Sequence, residues 1–393
     1  MPYYRTVGEI PRKRHTQFRK PDGGLYAEEL MGVEGFSSDS ALLYHRNLPT
    51  AIVDARTLPD EGRETAPNLP LKPRHFRTGD LKWEDTDTVD AVTGRRLLFG
   101  NSDVSICFVA ANAASPLYRN AFGDELLYVQ AGAGVVETVY GALRVGDGDY
   151  VVLPTSTTYR VVPDTELRLL VLEATGHVGP PKRYLSAKGQ FLEHAPYCER
   201  DVRGPGEPLL AEGQDVPVLV RHRAGLTRFT YANHPFDVVG WDGCLYPWVF
   251  NIGDFEPITG RVHQPPPVHQ TFEGPNFVVC SFCPRKVDYH PLAVPVPYNH
   301  ANVDSDELMF YVGGNYEARK GSGIGIGSMS LHPSGCTHGP QPGAVEGSLG
   351  ADYFDETAVM VDTFRPLDIG PGATQCEDAR YAWSWAGRGP DWN

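Results

Sequence analysis

Cysteine is scarce in this chain and follows no regular pattern. The 393 residues contain seven cysteines at unrelated spacings, which excludes the dense disulfide framework of small secreted domains. Cys280 and Cys283 form the one CxxC pair, inside an apolar and β-rich run with no second CxxC. A four-sulfur zinc site would need that second pair, so we interpret these two residues as buried thiols.

Long apolar runs and excess positive charge are also absent. No apolar segment approaches the roughly 20 residues that a membrane-spanning helix needs, and residues 1–15 contain no apolar stretch typical of a signal peptide. Lys and Arg number 35 against 49 Asp and Glu, which gives a formal net charge of −14. This balance argues against nucleic acid or an anionic membrane as a partner. We therefore expect a cytoplasmic protein.

Glycine, proline and aromatic residues, in contrast, are plentiful. The 42 glycines and 34 prolines are spread along the whole chain, as expected for many short strands joined by turns. Aromatic residues make up 11% and charged residues 21% of the sequence, a composition that can build a core. A length of 393 residues suits two domains. These features predict an all-β fold with long loops and few short helices.

Residues 295–340 concentrate the residue types that hold a metal. Glu307 begins an apolar run, Gly314 follows it, and the pattern G-x5-P-x-G-x2-H ends at His338. These spacings resemble the two halves of the signature of the cupins, small β-barrels whose facing strands carry metal ligands. A lone histidine is usually a surface or core residue, and Gly and Pro alone indicate a turn, but their coincidence favours a metal site. His300, Glu307 and His338 supply two imidazoles and one carboxylate, the set that holds non-haem Fe(II) and leaves positions for substrate and O2.

An internal repeat relates this stretch to the first half of the chain. The aligned segments are 123–128 with 305–310 and, without a gap, 148–159 with 327–338. The repeat places Tyr159 where His338 stands, and the region before the first segment carries no histidine at the position of His300. Repeats of this kind indicate a duplicated architecture. We therefore predict a bicupin, two double-stranded β-barrels, with a metal site in the second barrel and none in the first.

Asp306 and Glu307 are both candidate ligands, but neighbours on a strand point to opposite faces. Glu125 aligns with Glu307, and Gly132 follows Glu125 at the distance at which Gly314 follows Glu307. The repeat therefore favours Glu307 as the ligand.

The strand-like runs and the repeat divide the chain into four segments. We predict an N-terminal region with the metal-free barrel at residues 1–180, connecting strands and loops at 181–260, the metal-binding barrel at 261–367, and a tail at 368–393. Composition assigns no role to the connecting segment. We expect the tail to pack on the outside of its barrel or on a neighbouring subunit.

Three further histidines are candidates for chemistry. His263 and His269 flank a triple proline, which holds the chain extended and could place a side chain over a pocket. Two loop histidines bonded to the backbone are an equally good interpretation of this spacing. His332 replaces Leu153 of the first repeat, so a core position has become titratable beside the metal motif. This exchange suggests a histidine that supports a ligand or contacts substrate.

Segments along most of the chain resemble the homogentisate 1,2-dioxygenase family, especially its bacterial branch. They are GEIPRKRHTQF at 8–18, GLYAEELMG at 24–32, LLYH at 42–45, FDVVGWDG at 236–243, YNHAN at 298–302, NYEAR at 315–319, SLH at 330–332 and HGP at 338–340. The resemblance implies an Fe(II) enzyme of tyrosine and phenylalanine catabolism. Such an enzyme inserts both atoms of O2 into a hydroquinone ring, between the hydroxylated carbon and the carbon that bears the acetate, and yields maleylacetoacetate. The resemblance also implies a small aromatic substrate and a homo-oligomer.

The resemblance further implies roles for individual residues. It implies His300, Glu307 and His338 as iron ligands, with His338 also bordering the substrate, and His263 as the acid/base residue. It implies Tyr316 and Arg319 around the substrate carboxylate, and Tyr298, Asn302 and His332 around the ring. The interval from His300 to Glu307 is one residue longer than in the family pattern, so Asp306 falls at the familiar spacing. A changed loop here leaves the ring substituent open.

Three functions remain compatible with the sequence. The first is a dioxygenase that cleaves homogentisate. The second is a related bicupin dioxygenase for gentisate, salicylate or another hydroquinone, and the third is a non-enzymatic bicupin that stores or binds a small molecule. A storage protein without a metal does not need His300, Glu307 and His338 together in one repeat, which favours an enzyme. By spacing alone, Arg319 would be interpreted as a surface residue of a hairpin.

Overall fold

The computed structural model describes residues 3–83 and 88–390, so residues 1–2 and 391–393, the ends of the predicted N-terminal region and tail, lie outside the described residues. In chain order the strands are β1 (Arg5–Gly8), β2 (Ala27–Gly32), β3 (Ser40–His45), β4 (Ile52–Leu58), β5 (Arg74–Arg77), β6 (Arg96–Gly100), β7 (Val104–Ala111), β8 (Leu117–Asn120), β9 (Glu125–Ala131), β10 (Gly134–Thr138), β11 (Gly141–Val145), β12 (Asp149–Leu153), β13 (Thr158–Pro163), β14 (Leu167–Ala174), β15 (Val202–Arg203), β16 (Gln214–His222), β17 (Gly225–Asn233), β18 (Val238–Gly243), β19 (Trp248–Asn251), β20 (Gln270–Gly274), β21 (Phe277–Phe282), β22 (Arg285–Lys286), β23 (Asp306–Gly314), β24 (Ser328–His332), β25 (Tyr353–Phe354), β26 (Glu356–Thr363), β27 (Asp368–Ile369) and β28 (Glu377–Asp378).

Helix is confined to short segments. In residues 3–83 and 88–390 the α-helices are α1 (Ala344–Ser348) and α2 (Pro371–Thr374), beside a few single 3-10 turns. The frequent prolines and glycines explain this, because both destabilise the interior of a helix. The predicted all-β class with few short helices is confirmed. Within the same residues, every helix is too short or too polar to cross a membrane.

The first of two compact units lies within Met1–Glu61, Asp85–Arg95 and Phe108–Asn251. It contains a four-stranded sheet of order β1-β18-β3-β2, a seven-stranded sheet of order β11-β10-β13-β8-β16-β17-β4, and the strand series β15-β19-β12-β9-β14. Strand β12 is buried on both faces, which explains its continuous apolar sequence. Tyr128 and Tyr150 face each other across β9 and β12 with ring centroids 4.7 Å apart, a cross-strand pair that stabilises the sheet.

The second unit lies within Gly62–Glu84, Arg96–Cys107 and Ile252–Asn393. Its main sheet has seven strands in the order β20-β21-β26-β23-β24-β5-β28. Smaller pairings join β22 to β25 and β6 to β27. This order places β23 between β24 and β26, both antiparallel to it. Residues far apart in the chain are therefore brought next to Glu307.

The internal repeat reappears in the pairing of the strands. In the first unit Glu125 on β9 faces Leu153 on β12, and in the second Glu307 on β23 faces His332 on β24. The same register in both pairs means that His332 occupies the place of an apolar core residue, as the sequence alignment indicates.

Gly132 and Gly314 shape the same turn in the two repeats. Their φ angles are +98° and +76°, in the left-handed region that residues with a side chain rarely adopt. A Cβ atom would lie 2.1 Å from the carbonyl oxygen of Glu166 at Gly132 and 1.9 Å from that of Asp355 at Gly314. Backbone angle and lack of space therefore both require glycine at this point.

Asp306 is a structural residue of its barrel. Its Oδ1 accepts a hydrogen bond from the N–H of Ser334 and its Oδ2 one from the N–H of Leu367, both at 2.8 Å. Asp124, at the same place in the first repeat, also accepts from two backbone N–H groups, at 2.7 and 2.9 Å. Both oxygens of Asp306 are thus engaged in joining two loops, while Glu307 points to the opposite face of the strand.

The two units group the chain differently from the four segments named above. Strands β16 to β19 of the connecting segment belong to the first unit, and the tail belongs to the second. Tyr381 in the tail is almost completely buried, so this part of the tail packs inside its unit. The boundaries at 1–180, 181–260, 261–367 and 368–393 stay predictions.

Candidate metal centre and substrate cavity

Three side chains converge beside the β23–β24 pair. His300 precedes β23 and His338 follows β24, and their backbones form an antiparallel bridge with hydrogen bonds of 2.8 and 2.9 Å. Glu307 is the second residue of β23. One ring nitrogen of each histidine and one carboxylate oxygen of Glu307 all lie within 4.8 Å of one another. Among residues 3–83 and 88–390 this is the one group of three or more such side chains, and we call it the metal group.

Both histidines have Nε2 available for a metal. Nδ1 of His300 lies 3.1 Å from the carbonyl oxygen of Tyr298, and Nδ1 of His338 lies 3.0 Å from that of Cys336. Because a carbonyl oxygen only accepts, Nδ1 carries the proton in both rings and Nε2 carries the lone pair. Nε2 of His338 is buried and has no hydrogen-bond partner among the described residues. A buried ring nitrogen without a partner is unfavourable by itself and fits a metal ligand whose other nitrogen is held by the backbone.

Glu307 is buried and ionised. Burial by itself raises the pKa of a carboxyl group, but the hydrogen bond from His332 and the nearby rings of His300 and His338 hold the pKa of Glu307 well below its usual range. Nδ1 of His332 lies 2.9 Å from Oε1, and Nε2 of His300 and of His338 each lie 3.4 Å from a carboxylate oxygen. One negative carboxylate and two imidazole lone pairs form a donor set suited to a divalent transition metal.

His332 supports Glu307 from behind. Its Nε2 lies 2.9 Å from the hydroxyl of Tyr381, and its ring stacks on that of His338 with centroids 4.1 Å apart. Burial lowers the pKa of His332 to about 3, so the ring is neutral at neutral pH. The one ring proton then lies on Nδ1 and is donated to Glu307, and Nε2 accepts from Tyr381. Of the two interpretations of His332, support of a ligand matches this geometry.

A cavity of about 260 Å³ opens at the metal group. Its wall includes His263, Tyr298, His300, Asn302, Glu307, Tyr316 and Arg319 among the residues singled out by the sequence. His332 and His338 do not form part of this wall. Apolar side chains such as Phe282, Met309 and Met360 contribute most of the rest. An apolar wall with a few polar groups is typical of a site for a small organic molecule.

His263 and His269 differ in their surroundings. The His263 side chain is 43% exposed, its Nδ1 lies 3.2 Å from Oδ2 of Asp288, and its ring meets Tyr298 edge-on at 5.1 Å. Donation of the Nδ1 proton to Asp288 leaves Nε2 as a base. His269 stacks on Phe282 with centroids 4.4 Å apart, and burial lowers its pKa to about 3. His263 is therefore the better placed proton acceptor of the two.

Arg319 is buried and is not a surface residue of a hairpin. Its Nε donates to the hydroxyl of Tyr311 at 3.2 Å, and its Nη1 donates to the carbonyl oxygen of Gly339. A guanidinium has five N–H donors, so these two bonds leave others for a ligand. The hydroxyl of Tyr316 is buried without a partner, and burial raises its pKa, so it remains a donor.

Asp362 also lines the cavity, although no motif in the sequence singles it out. It faces Glu307 across the β23–β26 pair, and its Oδ1 is buried without a hydrogen-bond partner in the part of the chain that the structure describes. Burial and the negative charge of Glu307 raise the pKa of Asp362 to about 8. Glu173 holds the same place in the first repeat, where it pairs with Glu125, but this correspondence is visible only in the strand pairing.

A guanidinium occupies the corresponding place in the first unit. Nη1 of Arg95 donates to Glu125 at 2.6 Å and to Glu173 at 2.8 Å, and its Nη2 donates to the hydroxyl of Tyr159 at 2.8 Å. All four side chains are buried. Glu125, Tyr159 and Glu173 align with Glu307, His338 and Asp362. In the first repeat these positions therefore surround a permanent cation supplied by the chain itself.

Comparison with known proteins places the two halves of the chain in one family. The family model described as homogentisate 1,2-dioxygenase N-terminal matches residues 4–252, and the one described as homogentisate 1,2-dioxygenase C-terminal matches residues 263–389. A protein of Saccharolobus solfataricus, provisionally named a dioxygenase, is 37% identical over 98% of this chain and 99% of its own length. Homogentisate 1,2-dioxygenase of Emericella nidulans is 28% identical over 91% of this chain and 82% of its own length.

Among solved structures, a cupin 2 conserved barrel domain protein from Leptotrichia buccalis is similar to 74% of this chain and 96% of its own, with 10% identity and a TM-score of 0.32. Two other observations support the predicted bicupin. Two all-β units repeat one strand register, and separate N-terminal and C-terminal family models match the two halves. The predicted bicupin fold is confirmed.

Proposed function

Because the chain belongs to the homogentisate 1,2-dioxygenase family, we propose that it is an Fe(II)-dependent ring-cleaving dioxygenase that converts homogentisate and O2 to maleylacetoacetate. The observation that carries this proposal is the metal group of His300, Glu307 and His338 beside a small and largely apolar cavity. The family supports the class of reaction, and the cavity residues support the choice of substrate.

His300, Glu307 and His338 would hold the metal through two Nε2 atoms and one carboxylate. Two imidazoles and one carboxylate are the ligands of many non-haem Fe(II) oxygenases. Bound Fe(II) supplies a route for electrons from the aromatic ring to O2. The hydrogen bonds of 2.9 Å from Tyr381 to His332 and from His332 to Glu307 hold the carboxylate in one orientation, which is how residues behind a metal ligand tune it.

His263 would accept the proton that a phenolic hydroxyl loses on binding. Its Nε2 is the acceptor, because Asp288 keeps the ring proton on Nδ1. Imidazole is the side chain whose ordinary pKa lies near neutrality, so it can take up and release this proton at physiological pH. The ring of His263 meets that of Tyr298 edge-on, and both residues line the cavity.

Tyr316 and Arg319 would bind the carboxylate of homogentisate. The chain is acidic overall, so an anionic substrate needs a local cation, and the planar guanidinium matches a carboxylate. The hydroxyl of Tyr316, buried without a partner on the cavity wall, adds a second donor. Tyr298 and Asn302 would border the ring.

An uncharged hydroquinone is the second candidate substrate. It is favoured by the bonds that Arg319 already makes with Tyr311 and Gly339 and by its contact with the Trp385 ring at 6.0 Å. These partners occupy part of the hydrogen-bonding capacity of the guanidinium, so that it does not depend on a substrate carboxylate for a partner.

Oxygen uptake after anaerobic loading with Fe(II) tests the proposal. Wild type should consume O2 and homogentisate in equal amounts and form maleylacetoacetate. Arg319→Met should lower kcat/KM for homogentisate by at least roughly tenfold, since about 1.4 kcal/mol corresponds to one decade, and should leave any activity on unsubstituted hydroquinone nearly unchanged. Equal effects on both compounds, or a wild-type preference for the uncharged one, would favour the second candidate. No O2 uptake with any dihydroxyaromatic compound would overturn both.

We also propose a pathway, a location and partners for the enzyme. The enzyme would act in tyrosine and phenylalanine catabolism in the cytoplasm, with a small aromatic substrate and O2 as its partners. Native mass spectrometry of the purified protein tests the predicted homo-oligomer.

A further inference from the structure

Asp362 has an unsatisfied acceptor inside the proposed active site. Its Oδ1 is the one carboxylate oxygen among the buried side-chain atoms without a partner in residues 3–83 and 88–390. A buried acceptor without a donor costs free energy, so such an atom indicates a ligand group that the protein itself does not supply. Because Asp362 lines the cavity, that group belongs to a molecule in the cavity.

The other acidic side chains of the cavity wall have partners in the protein. Glu356 accepts a hydrogen bond from Arg285 at 2.7 Å. Asp288 lies 3.2 Å from Nδ1 of His263, and Glu307 belongs to the metal group. Asp362 is therefore the acid of this wall that is left to face the substrate.

The first repeat shows what the position of Asp362 contacts. There Glu173 pairs with Glu125 as Asp362 pairs with Glu307, and Glu173 reaches the central guanidinium of Arg95 directly, at 2.8 Å. The position thus faces the centre that the aligned residues surround, which in the second unit is the metal group.

The side chain of Asp362 is too short to make the same direct contact. Aspartate has one methylene fewer than glutamate, a difference of one C–C bond or about 1.5 Å. Asp362 accordingly lies outside the group of side chains whose ligand atoms come within 4.8 Å of one another. The shorter side chain therefore does not join the metal group and faces it from the cavity wall.

We propose that Asp362 accepts a hydrogen bond from the substrate hydroxyl that lies beside the metal group, and that it thereby selects rings that carry a hydroxyl next to the acetate-bearing carbon. This inference rests on the proposed function for the identity of the substrate. The hydroxyl is the donor that Oδ1 lacks. A buried acceptor without a donor costs free energy, so a ring without this hydroxyl leaves Oδ1 unsatisfied and binds more weakly.

The test compares ligands under anaerobic conditions with the metal-loaded protein. Homogentisate has the hydroxyl in question, and 3-hydroxyphenylacetate keeps the carboxylate and the other hydroxyl but lacks it. Wild type should bind homogentisate more tightly. Asp362→Leu, which has a similar shape and no acceptor oxygen, should weaken homogentisate binding by at least roughly tenfold, change binding of 3-hydroxyphenylacetate by less than about threefold, and retain the metal. Glu356→Gln, which removes a paired carboxylate from the same strand and the same wall, should leave the ratio of the two affinities unchanged.

Asp362→Glu gives the sharper result. The added methylene should let the carboxylate reach the metal group as Glu173 reaches Arg95, so the variant should retain the metal and lose homogentisate binding. Metal binding by Asp362→Leu that is weaker by roughly tenfold or more would show that Asp362 acts on the metal and would overturn the inference. Equal weakening of both ligands, or an Asp362→Glu variant that binds homogentisate like wild type, would also overturn it. Thermal unfolding of each variant checks that it is folded.

Measurement of O2 uptake on the same preparations separates the two proposals. Binding that depends on Asp362 without O2 uptake would overturn the proposed function and support the role of Asp362 as a hydroxyl acceptor. Uptake by wild type with equal affinities for both ligands would support the function and overturn this role.

Discussion

At the residue scale, Asp306 and Glu307 are neighbours with the same chemistry and separate tasks. The pleat of β23 sends their side chains to opposite faces. Asp306 accepts hydrogen bonds from two backbone N–H groups, whereas Glu307 meets three imidazole rings. One carboxylate thus stabilises the loops of the barrel, and the other is directed at the proposed metal.

This division predicts opposite results for two alanine substitutions. Glu307→Ala should abolish tight metal binding, because it removes the one charged member of the metal group. Asp306→Ala should keep one metal per chain but lower the free energy of unfolding by roughly 1–3 kcal/mol for each buried N–H left without an acceptor. Metal analysis after dialysis and urea unfolding check both results. Loss of metal from the Asp306 variant with retention in the Glu307 variant would contradict the assignment of the ligand.

A second pair of substitutions separates the two loop histidines. His263→Gln should retain the metal and lose roughly two to four orders of magnitude in turnover, the usual contribution of a positioned proton acceptor. His269→Gln should have a milder effect, because His269 packs against Phe282 and its low pKa makes it a poor base. Steady-state O2 uptake measures both. Equal and small losses would mean that this proline-rich loop only packs over the cavity.

At the element scale, the C-terminal tail completes the back of the metal group. The hydroxyl of Tyr381 bonds to His332 at 2.9 Å, and Nε1 of Trp385 donates to the carbonyl oxygen of Gly339 at 3.2 Å. The tail thus bonds to the strand that carries His332 and to the loop that follows His338. We predicted that the tail lies on the outside of its barrel or on a neighbour, and the burial of Tyr381 corrects this for its central part.

We therefore expect that Tyr381, a tail residue outside the metal group, affects metal affinity. Tyr381→Phe should weaken metal binding by roughly 10–100-fold, the usual cost of losing a partner behind a ligand. Tyr353→Phe is the matched control, because it removes the hydroxyl of a half-exposed tyrosine on β25 of the same unit and should change nothing. Titration against a competing chelator measures the affinities. Equal affinities for both variants and wild type would show that His332 needs no support from the tail.

The surroundings of His45 predict that the stability of the sheet containing β2 and β3 depends on pH. Burial lowers its pKa, but hydrogen bonds with Asp237 at 2.6 Å and Glu29 at 3.0 Å outweigh burial and raise the pKa to about 9. A raised pKa in the folded state means that protonation stabilises the fold. This stabilisation is complete below the unfolded pKa of about 6.5 and is lost as the pH rises through about 9.

His45→Gln should therefore destabilise the protein most on the acidic side of this range. The difference in unfolding free energy between wild type and variant should be largest near pH 6 and should shrink toward about pH 10, because only wild type loses the charge of His45. Urea unfolding across this range measures the difference. A difference that stays constant with pH would contradict the ion pairs described here.

At the scale of the whole molecule, the two repeats place corresponding residues around one centre in each unit, but the groups at the two centres differ. The first unit pairs Glu125 and Glu173 with Arg95, and the second surrounds its centre with two histidines and Glu307. A guanidinium is charged at every physiological pH, so both buried acids of the first unit have a permanent cation as a partner. In the described part of the second unit, Glu307 pairs with histidines, and Arg319 bonds to Tyr311 and Gly339 instead.

Arg95→Met should therefore act on stability and leave the metal content unchanged. Removal of one partner from a buried ion pair leaves uncompensated charge and costs about 3–5 kcal/mol. The variant should unfold at lower urea concentration and still bind one metal per chain, in its second unit. Urea unfolding and metal analysis check the two parts. Two metals per wild-type chain would contradict the assignment of a single site to the second repeat.

The sequence by itself determined the features that depend on local order. Spaced glycines and prolines indicate short strands, and the two gapless repeats indicate duplicated barrels. The motif from His300 to His338 is contained in one strand pair and its flanking loops, so sequence spacing is enough to single out its three side chains. The alternation of faces along a strand, together with the alignment to Glu125, was enough to prefer Glu307 over Asp306.

Only the tertiary structure decided which distant residues join this group. Asp362 meets Glu307 because the order of strands places β26 beside β23, and no local pattern states which strands of a sheet become neighbours. Tyr381 reaches His332 from a tail without regular spacing, and Arg95 fills the centre of the first unit from a position ahead of its aligned motif. These side chains act through burial and charge at short distance, and the packing of the folded chain sets that distance.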